Sequence, residues 1–408
     1  MFLEILLFTF LGIGVGVVTG LIPGLHPNTV FVMILSLTFF LAQIPTPMVL
    51  AFVISLAISN TFTDFLPSIL FGAPDPATAL SVLPGHRFLL AGKAYEALFL
   101  TVIGGLGVAV LTLITMPLLL YLIPQIYNSI HTYLHMILLF IVLWMVLTER
   151  GMAKLYSLFI FILVGLFGFV SLNSLPSEMV LFPALTGLFA FSTLIISFHS
   201  KSTIPEQEET REIKGNHIKG ILTGWLAGWL AGILPGIGAA QAGVIAAQVF
   251  RAKIRDFLTA LGGINTANIL FTFIVFYTLG KTRSGAMWTV SQLVDKLTFN
   301  DMLLISVVGA ITCFISAILT LKIGKILIRR MKNVNYKRLN LSIIITLIVL
   351  VFIFTGWVGL FISLLGTCMG LLTILLGVRR SHLMGFLILP TILYFSGLGI
   401  FLGLFLGI

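Results

Sequence analysis

Two Pro-Gly steps constrain this chain more than any other feature. Pro23-Gly24 interrupts the stretch Thr19–Val30, TGLIPGLHPNTV, and Pro235-Gly236 interrupts Ala231–Ile245, AGILPGIGAAQAGVI. Proline lacks the amide hydrogen and clashes with the preceding turn, and glycine is a poor helix former. No regular helix passes through either step. The flanking sequence is hydrophobic enough for lipid, where a broken helix leaves backbone N–H and C=O groups without partners. Such a break is tolerated only where protein or a wet cavity covers it. Gly232 stands to Pro235 as Gly20 stands to Pro23, so the two breaks match. Matched breaks in two halves of an apolar chain point to a transporter's binding site.

The lipid reading rests on composition. Of the 408 residues 59% are hydrophobic and 9% charged, where a soluble domain carries roughly 25% charged. The chain therefore reads as a multi-pass membrane protein. Met1–Gly20 contains Glu4 but no Lys or Arg, so the basic start of a cleavable signal peptide is missing. Cys313 and Cys368 lie far apart in apolar runs and offer no redox or metal framework. The net charge of +10 comes from short loops between apolar spans, where basic residues set topology. No nucleic-acid partner is expected.

In chain order, Phe2–Ala42 reads as a broken helix or helical hairpin tipped by the first Pro-Gly step. Met48–Leu70 is a spanning segment with a polar knot at Asn60, Thr61 and Asp64. Gly72–Lys93 is a Pro/Gly-rich connector. Spans are expected at Ala97–Ile123, Tyr133–Leu147, Leu155–Leu172 and Val180–Phe198. After the polar stretch 199–219 the order repeats. A second hairpin covers Gly220–Phe250, a span at Phe257–Leu279 carries Asn265-Thr266, and Lys281–Asn300 forms a mixed connector. Four more spans follow, at Met302–Lys322, Leu341–Phe354, Val358–Leu376 and Leu383–Leu404.

The loop from Lys322 to Arg338 is basic without acids and is expected in the cytoplasm. Counting from it places Arg87, Lys93, Arg150, Lys154, Arg251–Arg255 and Arg379-Arg380 on the same side. Each half then crosses an odd number of times, so two copies in sequence are inverted. The expected fold is an all-α multi-pass membrane protein of two inverted-topology repeats, 1–198 and 220–408, joined by a cytoplasmic linker, 199–219. Each repeat has a broken or re-entrant hairpin plus about five spanning helices.

The candidate site follows from the breaks. Each tip starts a new helix whose free N–H groups and partial positive charge suit an anion. Pro23, Gly24, His26, Asn28 and Thr29 form the first tip; Pro235, Gly236, Gly238, Ala239 and Gln241 form the second. Asn60, Thr61, Asn265 and Thr266 are expected to line the sides of a shared pocket. Tight helix packing by small residues, and interhelical hydrogen bonding, are the bland explanations of the same residues. Asp64 is an acid at span depth, which marks a candidate for binding a coupling proton or sodium ion. No catalytic residues, resident metal or other cofactor are expected.

These residues resemble the large membrane subunit of the tripartite tricarboxylate transporters, the TctA family. The resemblance rests on Gly20-Leu21-Ile22-Pro23-Gly24-Leu25 and on Gly232-Ile233-Leu234-Pro235-Gly236-Ile237-Gly238. It continues through Asn60-Thr61, Gly72-Ala73-Pro74, Pro84-Gly85 and Gly104-Gly105. The first tip departs from the family's usual Pro-Gly-Leu-Gly by reading Pro-Gly-Leu-His-Pro. The resemblance implies a secondary transporter of small organic anions in the cell membrane. It also implies a small membrane subunit and an extracytoplasmic binding protein as partners. A looser resemblance, limited to the tips, is to translocases that recycle polyprenyl phosphate, since a phosphate head group also suits helix N-termini. A membrane-embedded enzyme is the least favoured class, because the Gly-x-Ser-Gly and Gly-x-Gly-Asp stretches of intramembrane proteases are missing, as is a P-loop.

Overall fold

The computed structural model describes residues 1–23, 44–73, 77–199, 205–207, 215–234, 237–250, 253–292, 294, 296–331 and 336–406. Among them every regular element is a helix.

The two hairpin entries end as their prolines require. Helix α1 (Phe2–Leu21) stops at Ile22, which is extended at φ −100° and ψ 105°. Its counterpart in the second half, Ile218–Ile233, stops at Leu234, extended at φ −87° and ψ 132°. Both residues precede a proline, whose ring disfavours the helical region for its neighbour. The rest of the first tip, with Gly24, His26, Asn28 and Thr29, lies outside the described residues, as do Pro235 and Gly236.

Next come α2 (Thr46–Thr63) and α3 (Phe65–Phe71), which together make one deeply buried span with Asp64 at the joint. Pro67 causes the joint, because it has no N–H to give the Thr63 carbonyl one turn back. The first connector is a 3-10 turn, Ala79–Ser81, running into α4 (Val82–Leu90). Long α5 (Ala94–Ile130), α6 (Leu134–Leu147) and α7 (Ala153–Ser174) follow. The span expected at Val180–Phe198 is not uniform. It is α8 (Ser177–Leu185), a π turn over Thr186–Phe191, then α9 (Ser192–His199).

The second half runs α10 (Ile218–Ile233), α11 (Ala239–Phe250), α12 (Ile254–Leu279), α13 (Gly285–Ser291), α14 (Phe299–Met331) and α15 (Tyr336–Leu375). Gly356, at φ 63° and ψ −155°, breaks α15 in the gap between the two spans expected there. That conformation is open essentially only to glycine. The last expected span, Leu383–Leu404, is bent by 106° between α16 (Gly385–Ser396) and α17 (Leu398–Leu406). Gly397, at φ 75°, makes the corner. Among the described residues eight helices are long and apolar enough to cross a bilayer, or nine with that bent pair as one span. This is an integral multi-pass membrane protein.

Small residues set the interior. A Cβ on Gly16 would fall 2.5 Å from the Leu56 carbonyl oxygen, and one on Gly20 2.1 Å from Thr63 Oγ1. So α1 lies backbone-to-backbone on α2. In the second half a Cβ on Gly228 would meet Ala267 Cβ at 2.3 Å, and one on Gly232 would meet Phe271 Cβ at 2.3 Å, so α10 lies on α12 in the same way. In lipid there is no hydrophobic drive between helices, and close approach at small residues supplies the packing. The third long helix of each half covers the other half. On α5, a Cβ at Gly104 would fall 1.9 Å from the Thr259 carbonyl of α12, and on α14 Thr312 Oγ1 donates to Ser55 Oγ of α2 at 3.0 Å. Thus α2 and α12 are enclosed at the centre, while α15 turns Ile345, Val349, Phe352 and Phe361 outward.

Candidate functional site

The two polar knots meet where α2 crosses α12. Asn265 Nδ2 donates to Asp64 Oδ2 at 2.7 Å and to the Thr61 carbonyl at 3.3 Å. Thr61 and Thr266 hydroxyls lie 3.2 Å apart, and either can donate. Asn60 Nδ2 donates to Thr19 Oγ1 of α1 at 3.2 Å, tying the crossing to the turn that leads into the first tip. All six residues are buried, Asp64 to 2% exposure. A carboxylate at that depth needs charge-assisted hydrogen bonds or a bound cation or proton. Asn265 supplies one such bond from the other half of the chain.

Among the described residues Asn60, Thr61, Asn265 and Thr266 form a close-packed contact. Gly105 of α5 adds to the closeness, since a Cβ there would stand 2.8 Å from Thr266 Oγ1. The packing also sets a register between the two halves. Gly16 and Gly20 face Leu56, Ser59 and Thr63, whereas Gly228 and Gly232 face Ile264, Ala267 and Phe271. By those contacts Asn60 corresponds to Asn268 and Asp64 to Thr272, so Asn265 is not the counterpart of Asn60.

At the second tip, Gly238 N–H donates to Gln241 Oε1 at 3.0 Å, and the Gly238 carbonyl accepts from Ala242 N–H at 3.1 Å. This is the backward half of a capping box: the glutamine of the first turn reaches back to the cap residue, whose lack of a side chain leaves the forward bond unmade. Ala239 and Gln241 are buried, at 5% and 7% exposure. Gln241 therefore organises the start of α11, taking up the Gly238 N–H with its side-chain oxygen. Pro23 is described and half-buried; the remaining residues of the first tip, and the approach of one tip to the other, lie outside the described residues.

A second group of side chains gathers at one end of the molecule. Glu96 pairs with Arg255. Glu149 pairs with Arg379 at 3.3 Å and with His382 at 3.2 Å. Gln207, from the polar linker, donates to the Leu89 carbonyl at 2.9 Å and accepts from Ala94 N–H at 3.1 Å. These contacts join segments that charge counting assigned to one side of the membrane. By charge alone Arg379-Arg380 reads as a pair of topology markers. Arg380 is in fact 8% exposed, and it donates to the Phe189 carbonyl at 3.4 Å, to Ser192 Oγ at 3.1 Å and to Thr193 Oγ1. His86 lies nearby on α4. Burial first, and the Arg380 charge second, lower its imidazole to about 4, so it is neutral at physiological pH.

No solved structure matches the chain. The protein named "Uncharacterized protein MJ1079", from Methanocaldococcus jannaschii, is 28% identical over 401 residues, covering 96% of this chain and 98% of its own. The sequence profile of the Tripartite tricarboxylate transporter TctA family matches residues 6–385. That is a family of transporter subunits and not of enzymes, and the match spans nearly the whole chain: the protein belongs to the TctA family.

Proposed function

We propose that this chain is the large membrane subunit of an ion-coupled secondary transporter of small organic anions such as carboxylates. The observation that carries the reading is the α2–α12 crossing, where Asp64 and Thr61 of one half meet Asn265 and Thr266 of the other. A proton or sodium ion taken up at Asp64 changes the charge at the contact between halves. Each binding event at that point then biases how the halves sit. The anion binds between the tips, against the N-terminus of the helix that follows each break. The two halves act as inverted repeats, a reading supported by the like packing of α1 on α2 and α10 on α12. The exchange of covering helices, α5 onto α12 and α14 onto α2, supports it as well. The protein sits in the cytoplasmic membrane with its charged end inside. It works with a small membrane subunit and an extracytoplasmic binding protein, as the family's tripartite description implies.

Crosslinking tests the site directly. Asn28→Cys and Ala240→Cys, combined in one chain, are expected to crosslink across the gap between tips. Citrate or a smaller carboxylate is expected to protect them. Protection by a polyprenyl phosphate and by no carboxylate would move the protein to lipid translocation. No crosslink, with both cysteines reactive to a soluble probe, would remove the shared site.

A further inference from the structure

We infer that the cavity beside Arg380 binds an oxyanion, a carboxylate or phosphate group. The cavity is about 220 Å³ and lies between α4, α11, the π turn and the 3-10 turn Arg380–Met384. Arg380 and Arg87 both line it, with Ser381 beside them, and Leu80, Val244 and Phe189 supply apolar wall.

Charge makes the argument. A guanidinium keeps its proton in proteins and carries five N–H donors in a planar fork. Burying it is costly unless an opposite charge or several hydrogen bonds compensate. The described hydrogen bonds of Arg380 go to one carbonyl and two hydroxyls, all neutral. These hold the fork in place without cancelling its charge, and they leave donors over. His86, the neighbouring titratable group, is held neutral and adds no anion. The second lining cation, Arg87, is exposed on α4, and it also lines an adjoining cavity with Lys93, Glu96 and Arg255. A bound carboxylate or phosphate answers both arginines at once, taking a bidentate contact from one of them.

The backbone is adapted to the same end. The π turn directs the Phe189 carbonyl to Arg380, while Ser192 and Thr193 begin α9 just beyond it. Such turns recur at functional sites in helices. A merely structural arginine would staple the turn in the same way, but it would have no need of Arg87 or of an open cavity between the two.

The inference does not rest on the transport reading, and its test reads binding alone. The full chain is purified in a neutral detergent, and its thermal unfolding is followed with added phosphate or isobutyrate at fixed ionic strength. Both anions are expected to raise the midpoint. Arg87→Gln is expected to weaken the apparent affinity roughly tenfold, about the 1.4 kcal/mol of one charge-assisted contact. Arg380→Gln is expected to abolish it, and Ala247→Trp, which fills the cavity, is expected to do so while leaving both arginines in place. A second arm places the protein in phosphatidylcholine nanodiscs with or without phosphatidylglycerol. Stabilisation by dissolved anions assigns the site to a free oxyanion; stabilisation by phosphatidylglycerol alone, lost in the same variants, assigns it to a lipid head group. If Arg380→Gln does not fold, Arg87→Gln and Ala247→Trp decide. Wild-type anion response in both of those would overturn the site.

Discussion

Helix α1 on α2 and helix α10 on α12 are the same packing made from different chemistry. In both, glycines four apart lie close against the neighbouring helix, and both entry helices end two residues before a proline. The first pair fills its seam with hydroxyls. Ser59 Oγ donates to the Ile13 carbonyl at 3.2 Å, and Thr63 Oγ1 to the Gly16 carbonyl at 3.4 Å. The second pair fills the corresponding positions with Ala267 and Phe271. Asp64 belongs to the polar pair; its counterpart by packing, Thr272, bonds within its own half to the Ile269 carbonyl and Ser284. The shared part of the two pairs is therefore close approach, which small residues provide. The chemistry is concentrated in one half, and the other reaches it through Asn265 and Thr266.

The largest expected effect breaks the packing itself. Gly16→Ala and Gly228→Ala should each destabilise the detergent-solubilised protein by about 3 kcal/mol, the upper end for overpacking a close interface. Their repair should differ. At Gly228 the new methyl meets the Ala267 side chain at 2.3 Å, so Gly228→Ala with Ala267→Gly is expected to recover most of the loss. At Gly16 the nearest atom is the Leu56 carbonyl oxygen, 2.5 Å away, and Gly16→Ala with Ser59→Gly should stay destabilised. Equal rescue in both halves, read from thermal denaturation, would mean that the two seams pack alike.

A smaller effect tests where the chemistry lies. Asp64→Asn should lower ion-driven carboxylate uptake roughly tenfold, about 1.4 kcal/mol, and remove its dependence on sodium or pH. Thr272→Val, the matching change in the other half, should leave uptake within about twofold, because a hydroxyl bonded back along its helix contributes little. Uptake assays in proteoliposomes distinguish the two. If Thr272→Val does the greater damage, the functional asymmetry runs the other way.

Much of this was readable from the residues. The breaks at Pro23 and Pro235 follow from proline geometry, and the helices do end at Leu21 and Ile233. The polar knots stood out as costly residues at span depth, and Asp64, Thr61, Asn265 and Thr266 do meet. Their register did not follow, because spacing after a tip depends on a connection whose length differs between halves. Seams such as Gly12-Gly16-Gly20 were present in the sequence, but without a partner helix glycine reads equally as a poor helix former. The π turn and the 106° bend at Gly397 escaped because hydrophobicity reports how apolar a segment is and not whether its axis is straight. Arg380 escaped for a related reason: the rule that assigns basic residues to one side of the membrane says nothing of which way one of them points.

The smallest expected effect sharpens the comparison most, because it touches the one hydroxyl contact between halves described at the crossing. Thr61 Oγ1 is 2.8 Å from its own Ile58 carbonyl and 3.2 Å from Thr266 Oγ1. A hydroxyl has a single proton. Thr61 therefore gives its proton to Ile58 while Thr266 gives its own to Thr61, or Thr61 turns to Thr266 and leaves Ile58. Thr61→Val and Thr266→Val keep the side-chain shape, and a surviving helical threonine can turn to a carbonyl one turn back. Each single change should cost under about 1 kcal/mol, with a coupling in the double-mutant cycle near 0.6 kcal/mol, the typical value for such bonds in membranes. The control is Thr272→Val with Ser284→Ala, a pair 3.3 Å apart within the second half. If the halves move against each other at the crossing, citrate should change the Thr61–Thr266 coupling and leave the Thr272–Ser284 coupling alone. A citrate response in the control pair and none at the crossing would place the moving contact inside the second half.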